Sequence, residues 1–391
     1  NVLCSDKTGT ITLNKLSVHR IIPISGNEKE VVLYGALAST EANQDPIDLA
    51  FINKAKEMNL NLEEWKTKEF IPFDPSTRRT ESLVEKGGKS LRLAKGSIDA
   101  ISKLCGLENA EELYMKAEEE AKIGCRVLAV AKKEEEKWEL VGLVSLRDPP
   151  RPDSAELVKE LHDLGVKVIM LTGDAQPIAK QIAKEVGIGE NVERMGDVKE
   201  NPELIEKVDG LAEVYPEDKY TVVKLLQQKG KVVGMTGDGV NDAPALRQAD
   251  VGIAVSNATD VAKAAAAVVL TSPGLRNIVY MIKIGRQIYE RVRIWVLSRI
   301  IRTFQNVIFV ALAFILFSKF IISTFGMVLL LFMFDFVTLT MSTDNVTWPK
   351  KPAVWNINQL VIVSAFIGGV MIIESFIAMS FIQSLPLHVM Q

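Results

Sequence analysis

Histidine and cysteine are scarce in this chain, with three of each among 391 residues. Cys4, Cys105 and Cys125 are odd in number, show no C-x-x-C spacing and have no histidine cluster beside them in sequence. That pattern reads against a disulfide framework and against a zinc site, and fits reduced thiols in a cytoplasmic setting. His19, His162 and His388 are too dispersed to suggest a metal triad or a Ser-His-Asp arrangement. There is also no basic excess: formal net charge is -3. Nucleic acid is therefore not an expected partner.

What is present changes character near residue 290. Before that point charged and apolar residues are mixed; after it come three long apolar stretches, Trp295–Phe317, Phe320–Met341 and Leu360–Phe381. Each suffices for one bilayer crossing at about 20 residues per helix. The expected division is a stalk helix at 277–293, membrane helices at 294–318, 320–342 and 359–383, and a cytoplasmic loop at 343–358. The first two spans are separated only by Ser318 and Lys319, which predicts a tight hairpin. Arg286, Arg291 and Arg293 flank the first span and Lys350 and Lys351 follow the second. The positive-inside rule puts both flanks, and with them the large polar region, in the cytoplasm.

The polar region divides again. KVIMLTGD (167–174) and KVVGMTGDG (231–239) read as parallel strands delivering Thr-Gly-Asp to loops, and helical patterns alternate with them in a βαβ rhythm. The apolar run Val2–Cys4 ends at Asp6 in the same way and must join that sheet. The expected α/β domain thus comprises 1–14 and 147–276. An α+β insertion occupies 15–146, and the chain returns through the proline-rich RDPPRPD at 147–153.

At the carboxyl edge of this sheet the pattern gathers Asp6, Thr172-Gly173-Asp174, Asp238-Gly239 and Lys219. Facing carboxylates repel one another and call for a hard divalent cation, and Asp6 with Asp238 suits octahedral Mg²⁺. Lys219 supplies charge for phosphoryl oxygens, and Thr172 with the Gly173 N–H supplies hydrogen bonds. Asp6 is then a nucleophile that attacks a γ-phosphate and becomes an aspartyl phosphate. The plain alternative makes each Asp a solvated strand end.

DKTGT (6–10), KGS (95–97), DPPR (148–151), TGD (172–174) and TGDGVNDAPAL (236–246) resemble the motif series of the P-type ATPases, whose phosphorylation domain has the haloacid dehalogenase fold. FIPFDPSTRRT at 70–80, EANQD at 41–45 and DFVTLTMSTDNV from Asp335 are similar to the plasma-membrane proton pumps among them. KGS stands where the family usually has K-G-A-P. The resemblance implies ATP as substrate and Mg²⁺ held by Asp6, the Thr8 carbonyl and Asp238. It also implies a phosphoryl group surrounded by Thr172, Lys219, Asn241 and Asp242. In the insertion it implies Phe73 stacked on adenine, Lys95 and Gly96 lining the pocket, and Asp45, Arg78 and Arg126 around it, with Arg151 and Asp174 near the ribose. Read without the resemblance, Phe73 is equally a core residue and Lys95 a solvated strand end.

Asp335 lies within an apolar span, where a carboxylate is costly unless paired, hydrated or protonated. It resembles the proton-accepting Asp of those pumps, with Arg302 at the position of a nearby Arg; the alternative has Arg299 and Arg302 snorkelling to the interface. Glu374 is a weaker polar candidate in the third span. A single deep carboxylate favours a proton over Na⁺ or Ca²⁺, which usually require several oxygen ligands. A membrane-anchored dehalogenase-like phosphatase is the reading from a different class. Because the family pattern places an actuator domain and further spans outside this stretch, the chain is expected to be a fragment of a longer pump, unable to transport by itself.

Overall fold

A computed structural model of the chain describes residues 1–107, 110–134, 137–318, 320–351 and 355–383. They form two compact units, Asn1–Asn277 and Ile278–Gln391.

The first unit contains two sheets. Seven parallel strands lie in the order Val268–Val269, Val251–Ala254, Val233–Gly237, Val2–Asp6, Lys167–Leu171, Gly210–Ala212, Val192–Arg194. The first strand in sequence is therefore the central one. Val2, Leu3 and Cys4 are buried, as expected of a parallel strand covered on both faces. Helices such as Gln176–Glu185 and Pro216–Gln228 turn Ile182, Val222, Val223 and Leu226 inward, each at most 1% exposed. Full burial of such side chains contributes about 1.5–3 kcal/mol apiece. Strand order reverses on either side of Val2–Asp6, so its carboxyl end opens into the crevice where doubly wound sheets bind ligands.

The second sheet is antiparallel, with strands in the order Ser17–Pro23, Lys137–Arg147, Arg126–Glu134, Lys89–Gly96, Arg79–Lys86, Lys66–Asp74. Alternation along its central strands is apolar on both sides. Ala129, Ala131 and Leu143 pack with Ile98, Ile101 and Leu113 of helices Ile98–Leu104 and Glu111–Lys122. Val130, Val144 and Leu146 pack with Val31, Val32 and Phe51 of helices Glu28–Leu37 and Pro46–Glu57. Gly96 is demanded by close approach, since a Cβ there would lie 2.5 Å from the Arg78 carbonyl oxygen and 2.7 Å from Arg79 Cβ. Gly96→Ala is expected to cost about 1–3 kcal/mol, read as a lowered urea midpoint.

Among the described residues three helices are long and apolar enough to cross a membrane, with mean hydropathy of 2.0, 1.9 and 2.3 in their apolar windows. The first, Arg276–Phe317, begins within the first unit and is continuous through the predicted stalk and span. The second is shorter at its start than predicted. It runs Thr324–Thr340 because Ser323 caps it, the Ser323 hydroxyl accepting from the Gly326 N–H at 3.1 Å. Phe320–Ile322 therefore belong to the connection, which is longer than Ser318 and Lys319 alone; Lys319 lies outside the described residues. The third helix is Ile357–Gln383.

Candidate functional site

The site starts where the central strand ends. Asp6 donates its backbone N–H to the Thr236 hydroxyl (3.0 Å), which anchors it to the neighbouring strand. The following turn, Lys7–Ile11, departs from helical geometry at Thr8 (ψ 129°) and Gly9 (φ 74°). Gly9 thus occupies the left-handed region that favours glycine. The turn is held by Arg151, whose Nη2 donates to the Gly9 carbonyl at 3.1 Å, and it lies against Asp238: a Cβ on Gly9 would meet Asp238 Oδ2 at 3.8 Å and Asn257 Nδ2 at 4.0 Å.

Carboxylate oxygens of Asp6, Asp238 and Asp242 all lie within 4.8 Å of one another. Lys219, at the start of the helix Pro216–Gln228, bridges two of them, with Nζ 2.6 Å from Asp6 Oδ2 and 2.8 Å from Asp242 Oδ1. The other Asp242 oxygen accepts from the backbone N–H groups of Asp238 and Gly239, each at 3.0 Å. Asp242 is thereby saturated by its own loop. Burial raises the Asp6 carboxyl above its ordinary value; Lys219 opposes this, while Asp242 and Asp238 add to it. Burial and then Asp242 raise Asp238. The Lys219 ammonium is lowered by burial but more strongly held in the charged form by Asp6 and Asp242, and its pKa is raised.

Three carboxylates share one ammonium, and that charge balance decides the metal question. Asp242 is held by its own loop and by Lys219, which leaves Asp6 and Asp238 to repel one another or to share a cation. An all-oxygen donor pair of this kind matches a hard dication such as Mg²⁺. The residues present therefore fit the expected metal, with Asp6 and Asp238 as side-chain ligands.

A second charge cluster adjoins the first. Asp174 accepts from Lys7 Nζ at 2.7 Å and from Arg126 Nη2 at 2.6 Å. The Thr172 hydroxyl donates to the same carboxylate at 3.1 Å. Burial pushes Asp174 up, but Lys7 and Arg126 outweigh it and hold its carboxyl below the ordinary value. Thr172 directly follows Leu171, the residue in register with Asp6. Gly173 and Asn241 are exposed at the same edge.

Arg126 reaches into the second sheet's main hollow, a cavity of about 760 Å³ lined by Asp45, Phe73, Arg78, Lys95, Gly96 and Arg126 among others. Phe73 is 60% exposed, so it is not a core residue. Lys95 is not a solvated strand end either. It is 3% exposed and paired with Asp48 and Ser39, its ammonium 5.0 Å from the Phe51 ring centroid. Burial pulls the Lys95 pKa down against the opposing charge of Asp48. The Asp45 Oδ1 caps the helix Pro46–Glu57, accepting from the Ile47 N–H at 2.8 Å. A smaller cavity of about 230 Å³ is lined by Asp45, Ile47 and Arg126 together with Lys7, Thr8 and Asp174. The two hollows share Asp45, Ile47 and Arg126. Arg151 stays with the Gly9 turn, apart from the lining of either. Sequence reasoning overlooked Lys7, Asp48 and Asn257; only Lys7 carried a signal, as the neighbour of Asp6.

In the second unit Asp335 meets Arg299 rather than Arg302, with Nη2 to Oδ1 at 2.5 Å. Arg302 lies over the Phe334 ring, 4.4 Å from its centroid. Residues 299 and 302 share one helix face, about 60° apart around the axis at 3.6 residues per turn, and the exact rotation of that face, invisible in composition, decides which of them meets Asp335.

With this geometry established, comparison with known proteins is informative. A family model of haloacid dehalogenase-like hydrolases matches residues 1–250. A protein of Methanocaldococcus jannaschii, named as a candidate cation-transporting ATPase, is 42% identical over 96% of this chain and 49% of its own length. The plasma membrane ATPase of Kluyveromyces lactis is 37% identical over 97% of this chain and 45% of its own length. Plasma membrane ATPase 2 of Saccharomyces cerevisiae is 38% identical over 97% and 42%, respectively. Among solved structures, a zinc-transporting PIB-type ATPase matches with a TM-score of 0.50 and 28% identity, covering 71% of this chain and 40% of that one. The chain spans about half the length of the curated relatives it matches. The family match, relatives aligned over nearly all of this chain and the parallel sheet with Asp6 at its centre lead to one conclusion: the chain belongs to the haloacid dehalogenase-like hydrolases, among the P-type ATPases.

Proposed function

We propose that this chain carries the ATP-consuming portion and three membrane helices of a proton-exporting P-type pump of the plasma membrane, its polar unit cytoplasmic. The observation that supports this reading best is the shared lining of the two cavities. A nucleotide seated on Phe73 has a route past Arg126 to the turn beside Asp6. Asp6 Oδ attacks the γ-phosphorus, the bond to the β-bridging oxygen breaks, ADP leaves, and an acyl phosphate remains on Asp6; water later cleaves it. Lys219, already in contact with Asp6, neutralises phosphoryl oxygens as charge builds on them. The Gly173 N–H at the sheet edge donates to the same group, and Thr172 keeps Asp174 in place. Asp6 and Asp238 would hold Mg²⁺, which supplies positive charge for the phosphate oxygens. Coupling to the membrane runs through the helix Arg276–Phe317, and the remaining parts of the pump, including its actuator domain, complete the cycle.

The test is labelling with [γ-³²P]ATP and Mg²⁺, an acid quench, and hydroxylamine. Hydroxylamine-sensitive label is expected; its absence from both this chain and the complete pump would sink the proposal. Mg²⁺ at one hundred times its dissociation constant should stabilise the wild type by about 2.7 kcal/mol. Thermal melts should show much less of this in Asp238→Asn. Phe73→Ala should weaken binding of a fluorescent ATP analogue by roughly 5- to 150-fold, from about 1–3 kcal/mol of lost base stacking.

The proton assignment is supported by Asp335, an acidic residue in an apolar helix with Arg299 as its cation. A guanidinium that close gives the carboxylate a partner once its proton has left. Vesicles containing the complete pump should build an ATP-driven pH gradient; movement of labelled Na⁺ or Ca²⁺ without one would assign another cation.

A further inference from the structure

A second group of ligating side chains lies outside the Asp6 site. His19, Glu120 and Cys125 come from three different segments: the edge strand Ser17–Pro23, the helix Glu111–Lys122 and the turn that precedes Arg126. Their nitrogen, oxygen and sulfur ligand atoms all lie within 4.8 Å of one another. Sequence spacing reads against zinc, because these residues are neighbours only in space.

Three observations make the cluster more than a coincidence of side chains. First, the pairing of Ser17–Pro23 with Lys137–Arg147 shifts register between Val18 and Arg20, leaving His19 as the extra residue of a bulge. Bulges re-aim side chains, and this one puts both His19 and Arg20 within reach of Glu120. Second, Glu120 is 3% exposed and Cys125 fully buried, whereas His19 is exposed. Tetrahedral Zn²⁺ with bonds of about 2.0–2.3 Å needs ligand atoms closer than 4.8 Å, and His19 is free to supply the adjustment. Third, the buried Glu120 charge is poorly compensated. Among the described residues its one ion pair is with Arg20 at 3.1 Å, and the Arg20 side chain is 66% exposed; its other oxygen accepts from the Ser145 hydroxyl at 2.7 Å.

We propose that an imidazole nitrogen of His19, a carboxylate oxygen of Glu120 and the sulfur of Cys125 form a binding site for a borderline-soft dication of the zinc class, with water as fourth ligand. Sulfur and imidazole donors select such ions over Mg²⁺ or Ca²⁺. Binding releases the thiol proton to solvent and displaces Arg20 from Glu120. The ion would tie the bulged edge strand to the end of helix Glu111–Lys122, next to Arg126. Nothing in this site depends on ATP chemistry at Asp6.

The test is a Co²⁺ titration of the 391-residue chain, following the thiolate-to-metal charge-transfer absorption in the near ultraviolet, then displacement by Zn²⁺. One equivalent should saturate the band. Cys125→Ser should abolish it, and His19→Ala, at an exposed position that the core does not need, should weaken Co²⁺ binding by at least the ~10–100-fold typical of losing a supporting group. Cys105→Ser should leave it intact. No thiolate band, a band that survives Cys125→Ser, or one lost instead with Cys105→Ser would overturn the assignment.

Discussion

Asp6→Asn is expected to abolish hydroxylamine-sensitive label and to lower ATP turnover by roughly 10⁶-fold, the scale seen when a covalent nucleophile is removed from another enzyme. The amide fits the same space but cannot become an acyl phosphate. The same substitution should stabilise the metal-free fold. Asp6 has a raised pKa because burial, Asp242 and Asp238 together outweigh Lys219. A raised carboxyl contributes stability that is full below the ordinary value of 3.8 and fades as pH climbs through the folded-state value. At neutral pH the ionised group is therefore a burden, and the neutral isostere removes it. A gain of about 1 kcal/mol would raise the melting temperature by roughly 2–4 °C in a domain of 150–250 residues. Calorimetry of metal-free protein at pH 7 checks the sign, and the difference between variant and wild type should shrink as pH falls and Asp6 takes up a proton. A variant that melts lower at pH 7 would show that the Lys219 contact outweighs the repulsion.

Lys219→Met has the second largest expected effect, and it acts in the opposite direction on stability. Lys219 is the one ammonium shared by Asp6 and Asp242, at 2.6 and 2.8 Å. Its loss leaves three carboxylates within 4.8 Å of one another with no ion-pair partner for Asp6 or Asp242 among the described residues. Breaking a buried pair by removing one partner typically costs about 3–5 kcal/mol. Because Lys219 is 13% exposed in its side chain, the lower half of that range is expected. The loss should be greatest at neutral pH and should lessen on acidification, when the carboxylates protonate, and on addition of Mg²⁺, which replaces the missing charge. Phosphorylation should slow by about 10²–10³-fold, as when one preorganised donor to a developing anion is deleted. Quench-flow labelling alongside urea melts at several pH values separates the two consequences. Unchanged phosphorylation kinetics would remove Lys219 from the chemistry and leave it a structural ion pair.

Strands with continuous apolar runs were readable in advance because burial on both faces leaves no alternation to misinterpret, as in Lys167–Leu171 and Val233–Gly237. Lys66–Asp74 was not: it is an edge strand, exposed along almost its whole length, and no burial constrains its pattern. The helix Glu28–Leu37 was missed although Asn27 and Glu30 form a capping box, a local signal stronger than the weak periodicity around it. Within the site, Asp6, Asp238, Asp242 and Lys219 could be grouped because each follows a strand end or opens a helix of one sheet. Asp48 could not, since the burial of Lys95 against it depends on two elements meeting. The pairing of Asp335 with Arg299 depends on helix rotation, which a sequence without neighbours does not specify.

The position of Asp174 between Lys7 and Arg126 has a consequence for how the protein waits for its substrate. Both cations already have a partner, so a polyphosphate arriving beside them would exchange one anion for another instead of adding charge to an unbalanced pocket. Such an exchange keeps the guanidinium and ammonium oriented beforehand and spares most of the rearrangement that binding otherwise requires. It also predicts a shallow dependence of nucleotide affinity on ionic strength, because few bulk counterions need to leave. Asp174→Asn would release the two cations, sharpen that salt dependence and make the empty pocket a promiscuous trap for anions: the carboxylate holds the place of the guest.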